Sequence, residues 1–171
     1  QVIEEEKKLA AYHESGHALV MKLEPDSEPV HKVSIIPMGR ALGATMFLPE
    51  RDRLHMNRRQ ILSMITVCFG GRVAEELFCE DISTGAENDL QKATELARRM
   101  VTEWGMSEAL GPVYLSDREA HSFLGWDMPQ SRPFSEQTAL EVDREIKRIL
   151  ETCYRKAKEA IQGHVPEIEK M

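Results

Sequence analysis

Apolar and polar positions alternate along the chain with two periods. From Glu4 to Leu23 the residues Leu9, Tyr12, Leu19 and Val20 recur near helical spacing and Pro25 marks an end, which predicts a helix. The segments VHKVSIIP (30–37) and ALGATMFLP (41–49) are short, rich in β-branched and aromatic residues, and each closed by proline, so they predict two strands around MGR. Helical spacing returns in RQILSMITVCFGGRVAEELF (59–78), preceded by Asn57 and Gln60 in capping-box register. The pair Gly70-Gly71 interrupts it at about 1 kcal/mol per glycine, a cost that close backbone packing would explain.

Beyond residue 80, STGAENDLQKATELARRMVTEWG (83–105) predicts a helix that opens on Thr84 and Glu87 in capping-box spacing and stops at Gly105. Leu90, Ala93, Ala97, Met100 and Val101 form its expected apolar face. Residues 111–133 are irregular, with a short strand expected at 113–115 and a loop beyond it. A last helix from about Ser135 to Ile161 carries Leu140, Ile146, Ile149, Leu150 and Tyr154 as its stripe; Gly163 and Pro166 break it, and the tail is free to resume. The fold class is therefore mainly α with a small β element, in one domain covering residues 1–171.

Size and composition narrow the function. A chain of 171 residues can bury a core without metals or disulfides as props, so a metal is expected to serve chemistry. With 42% hydrophobic and 30% charged residues and no apolar run near the roughly 20 residues of a membrane span, the piece is expected to be soluble. A net charge of -7 argues against nucleic acid as the main partner. Three scattered cysteines without CxxC spacing suggest neither a disulfide framework nor a cysteine metal site. The start, QVIEEEKK, runs straight into a helical pattern and reads as a cut made in a longer protein.

The candidate chemistry lies in the first helix, in AAYHESGHALVM (10–21). His13 and His17 are four apart, so on a helix they share one face and can converge on one metal ion. Neutral imidazole suits Zn2+, whose catalytic sites take three protein ligands and keep a fourth position for water. Glu14, about 100° around the helix from His13, suits a general base better than a third ligand. Gly16, inside the motif, again carries a helix cost that a close neighbour would explain.

A third ligand must come from elsewhere. Glu24, Asp26 and Glu28 form an acidic turn and read as solvated charges, whereas His31, His55, His121 and His164 are isolated and fit surface or capping roles. Asp89, early in the predicted helix among small residues, is the stronger candidate. On spacing alone it serves equally well as a helix N-terminal carboxylate facing the macrodipole.

Several motifs together resemble the protease domain of the FtsH family of membrane-anchored, ATP-dependent zinc metalloproteases: HESGHALV, VHKVSIIPMGRALGAT, FLPE, GGRVAEELF, STGAENDLQKATELARRMVTEWGMSEALGPVYL and EVDREIKRIL. The resemblance covers roughly residues 5 to 155 in order. It implies that His13 and His17 are zinc ligands, that Glu14 is the catalytic glutamate, and that Asp89 is the third ligand. It further implies an endopeptidase acting on unfolded or membrane polypeptides and working as a homo-hexamer beneath its own ATPase ring. The full-length protein would be anchored in a membrane, the bacterial inner membrane facing the cytoplasm or an organelle membrane, with the ATPase and membrane segments outside this piece. Met38, where many relatives carry a basic residue, the 116–135 loop and the tail IQGHVPEIEKM depart from the pattern.

Two other classes of function stay open at this level. One is an oligomerising scaffold with a structural or vestigial metal site, and the other a stand-alone soluble metallopeptidase. A strand near Arg40 to Phe47 can either accept an extended substrate by β-augmentation or merely close the sheet.

Overall fold

A computed structural model describes residues 3–35, 44–47, 55–115 and 135–171. The expected 116–135 loop, apart from Ser135, and the start of the strand expected at 40–47 lie outside these residues, as do Met38 and His121. The elements are α1 (Glu4–Leu23), β1 (Val30–Ser34), β2 (Ala44–Phe47), α2 (Arg58–Phe78), a 3-10 turn (Thr84–Ala86), α3 (Glu87–Thr102), α4 (Glu136–Gln162) and α5 (Val165–Lys170). The fold is mainly helical with one two-stranded antiparallel sheet, in which Val30 pairs with Phe47 and Ser34 with Ala44. Among the described residues no helix is long and apolar enough to cross a membrane.

The core forms where α1, α2, α3 and α4 meet, around Val20, Ile65, Val73, Met100, Val101 and Ile161, all nearly inaccessible to solvent. α1 carries Glu4, Glu5 and Glu6 in its first turn and Lys22 in its last, the polarity its macrodipole favours. α2 begins with the expected capping box: the Asn57 side chain accepts from the Gln60 backbone while the Gln60 side chain accepts from the Asn57 backbone.

The glycines of the two helices meet. A Cβ on Gly16 would lie 2.2 Å from the Gly70 carbonyl oxygen, and one on Gly70 would lie 2.6 Å from the Gly16 oxygen. The helices pass backbone against backbone, and the close packing predicted for both glycines is present.

Four expectations differ from the structure. The capping box at Thr84 and Glu87 does not form: Ser83 caps the 3-10 turn instead, accepting from the Gly85 N–H, and α3 starts after Ala86 without a side-chain cap. Leu90, in the first turn of α3, is exposed although the rest of the expected α3 face is buried, and Leu140 is exposed because the buried stripe of α4 runs through Ala139, Val142, Ile149, Cys153, Ala157 and Ile161. The segment 113–115 is not a strand; the Leu115 N–H donates to the Thr102 carbonyl (2.7 Å), an isolated tie. Glu24 is buried, not solvated: it accepts from Ser63 Oγ (2.7 Å) and pairs with Lys156 Nζ (2.9 Å), joining the end of α1 to α2 and α4. The tail does resume, as α5, with Pro166 in its first turn, where a missing N–H costs nothing.

Candidate metal centre

α1 presents His13 and His17, both buried, on the face it turns to α2. Their rings stand edge to face, centroids 4.7 Å apart. α2 meets them with three residues spaced by four, one stripe of a helix: Val67, Gly71 and Glu75. The Val67 carbonyl accepts from His17 Nδ1 at 2.7 Å. Gly71 lies flat beneath His13, where a Cβ would come within 2.5 Å of Nε2. Glu75, 1% exposed, places Oε2 3.5 Å from His13 Nδ1, and neither atom has a hydrogen-bond partner among the described residues.

A carbonyl can only accept, so Nδ1 of His17 carries the proton and Nε2 keeps its lone pair in the neutral ring. The Glu75 carboxylate, 3.5 Å from His13 Nδ1, favours a proton on that nitrogen by charge attraction. Both Nε2 atoms then point toward Oδ2 of Asp89, which α3 brings in from 72 residues beyond His17. His13 Nε2 to Asp89, His17 Nε2 to Asp89 and His13 Nε2 to His17 Nε2 are each 3.1 Å. Three ligand atoms at equal separation match a tetrahedral cation of zinc size, for which bonds of about 2.0 Å put donors about 3.3 Å apart. With His13 neutral, three electron-rich atoms face one another, the opposite nitrogen of His17 bonded to the Val67 carbonyl and that of His13 facing Glu75, an arrangement that favours a cation between them. His13, His17 and Asp89 can hold a metal ion in this arrangement.

The electrostatics agree. Burial alone disfavours a charged His13, but Asp89 and Glu75 outweigh it and push its pKa up to about 9 from the ordinary 6.5. Burial works against the Asp89 carboxylate too, and its contacts with His13 and His17 overcome that and hold it well below the usual range. Glu75 is likewise lowered: burial opposes its charge, while His13 and Ser83 stabilise it. A site that draws a proton so firmly is one that a metal cation can occupy in the proton's place.

Glu14 is half-buried on α1, next to His13 and turned away from its face. Of the other residues weighed from sequence, Glu24 belongs to the Lys156 pair, His164 Nδ1 contacts the Ala160 carbonyl within its own chain segment, and His55 is exposed; none approaches the cluster. Sequence reading marked Gly71 for close packing but missed Val67 and Glu75. The period of four was there to be read, with a glutamate one turn beyond a glycine in an otherwise apolar stripe.

The profile of Peptidase family M41 matches residues 1–171. ATP-dependent zinc metalloprotease FtsH 1 of Thermoanaerobacter sp. (strain X514) is 49% identical over 168 residues, covering 98% of this chain and 28% of the relative. ATP-dependent zinc metalloprotease FtsH of Caldicellulosiruptor bescii is also 49% identical, over 98% of the chain and 27% of its own length. FtsH of Nitrosococcus oceani is 51% identical over 93% of the chain and 25% of its own length. The chain thus spans about a quarter of the length of the curated relatives it matches. With a family profile matched from end to end and relatives near half identity across almost the whole chain, this protein belongs to Peptidase family M41.

Proposed function

We propose that this chain is a zinc-dependent endopeptidase domain in which His13, His17 and Asp89 hold the metal and Glu14 is the catalytic base. The observation that carries the reading is the equilateral set of 3.1 Å separations among two buried imidazoles and one carboxylate. The names of its relatives, zinc metalloproteases, support the choice of metal.

When bound, zinc supplies Lewis acidity: it polarises a carbonyl and lowers the pKa of water toward about 7. The rest of the chemistry belongs to the chain. Glu14 takes the proton of the attacking water and delivers it to the departing amide nitrogen, so that each peptide C–N bond broken gains the elements of one water. The Val67 carbonyl and Glu75 keep both rings from turning. The edge of β2, Ala44–Phe47, is suited to hold an extended substrate through main-chain hydrogen bonds.

The longer protein, on this reading, is an ATP-dependent, membrane-anchored homo-hexamer whose ATPase domain feeds unfolded or membrane polypeptides to this site. Residues 1–171 form its protease domain. Cleavage of unfolded casein with zinc quantified alongside tests the reading. Glu14→Gln is expected to keep zinc and lose cleavage by at least about a hundredfold, in the range of general acid–base catalysis; Asp89→Ala is expected to lose both. Undiminished cleavage by Glu14→Gln, or cleavage that persists after chelation, would overturn it.

A further inference from the structure

Glu75 does not stand alone behind His13. Its Oε2 faces the ring, and its other oxygen, Oε1, accepts a hydrogen bond from Ser83 Oγ. That hydroxyl lies at the entrance to the 3-10 turn from which α3 departs, six residues before Asp89, and it also accepts from the Gly85 N–H at 3.1 Å. Gly85 leaves room for this approach: a Cβ there would already stand 3.1 Å from Ser83 Oγ and 3.9 Å from Glu75 Oε1. One hydroxyl therefore joins the carboxylate that orients a histidine of α1 to the turn that aims the carboxylate of α3.

We propose that Ser83 is a positioning residue for the metal centre, donating to Glu75 and thereby setting the His13 ring and the Asp89 turn as one unit. The proposal rests on the metal-binding reading given above. α3 has no side-chain N-cap of its own, so among the described residues the turn capped by Ser83 is what ties its start to Glu75 of α2. Glu75 is buried and offers one oxygen to His13, so its rotation about the carboxyl axis is set by what holds the other oxygen. Support of this kind behind a ligand typically changes metal affinity by about 10–100-fold.

A merely structural role must be separated from this one, because Ser83 also caps the turn. Three substitutions divide the two. Ser83→Thr keeps both the acceptor for Gly85 and the donor to Glu75. Ser83→Asp keeps the cap, since aspartate caps as well as serine does, but cannot donate and sets a negative charge against Glu75. Ser83→Ala loses both.

The experiment measures Zn2+ affinity by chelator competition on the whole 171-residue chain, with metal-free thermal melts and 15N spectra of the His13 imidazole. Wild type and Ser83→Thr are expected to agree within about threefold, and Ser83→Ala and Ser83→Asp to bind zinc about tenfold to a hundredfold more weakly. Metal-free Ser83→Ala should also lose the protected Nδ1–H signal of His13. In the Glu75→Gln background, Ser83→Ala should add less than twofold, as two groups acting through one contact do. Zinc binding by Ser83→Asp equal to wild type, or full additivity with Glu75→Gln, would overturn the role of Ser83 and leave the metal reading standing. A wild type that takes up no zinc would instead overturn the metal reading, and an unaltered Nδ1–H signal in metal-free Ser83→Ala would then overturn the Ser83 link as well.

Discussion

The two halves of the proposed metal centre are built differently. The histidines stand on α1, whose backbone at Gly16 lies against α2 at Gly70 so closely that a single methyl group does not fit. Asp89 stands at the partly exposed start of α3, after a three-residue 3-10 turn tied by Ser83. The first half gains its precision from steric contact between rigid elements. The second gains it from a few polar contacts, which set direction at little energetic depth and are easily disturbed.

Substitutions should separate the halves. Gly16→Ala forces a Cβ onto the Gly70 carbonyl, a backbone atom that cannot swing aside, and is expected to cost about 3 kcal/mol, roughly 10 °C in Tm, together with zinc binding. Calorimetry of the metal-free chain checks this. Gly71→Ala meets a side chain instead, the His13 ring, which can move. It should lower Tm by only a few degrees yet weaken zinc about a hundredfold, read by chelator competition.

The pH dependence follows from His13. Its folded pKa, about 9, is raised above the ordinary 6.5, so its charged form stabilises the metal-free fold fully below about 6.5, and that stability is lost as pH rises through 9. Asp89 has the opposite sign: its contribution is present above the usual carboxylate range and lost in acid. Zinc needs His13 neutral, so binding displaces one proton at pH values below 9. Apparent zinc affinity should therefore rise about tenfold per pH unit from 6.5 to 9 and then flatten, measured by competition titration across that range. The smallest effect is expected at Gly85→Ala, in the exposed turn: under about 1 kcal/mol in stability and a few-fold in zinc affinity, through crowding of Ser83 Oγ.

The steric half was the more legible in sequence. HExxH spacing sets two imidazoles on one helical face, and Gly16 and Gly70, costly in a helix, announce the contact that the structure contains. The element order was legible for the same reason: long amphipathic segments with explicit caps. Asp89 was open on spacing alone, because a carboxylate in a first turn looks the same whether it faces a macrodipole or an ion. Glu75 and Val67 escaped notice because their roles arise from α1 crossing α2, a tertiary event that leaves only a period of four in sequence. The false capping box at Thr84 and Glu87 shows the same limit, since Ser83 bonded to a distant carboxylate moves the cap one residue upstream. Glu24 read as solvated because its partner, Lys156, is 132 residues away.

The most direct test of the whole scheme is X-ray absorption at the zinc edge of the chain loaded with one equivalent of metal. Two imidazole nitrogens and oxygen donors at about 2.0–2.1 Å are expected, with no sulfur, and Asp89→Ala is expected to retain no bound zinc to measure. A sulfur shell near about 2.3 Å, or a spectrum that Asp89→Ala leaves unchanged, would contradict the assignment of His13, His17 and Asp89 as the metal-binding set.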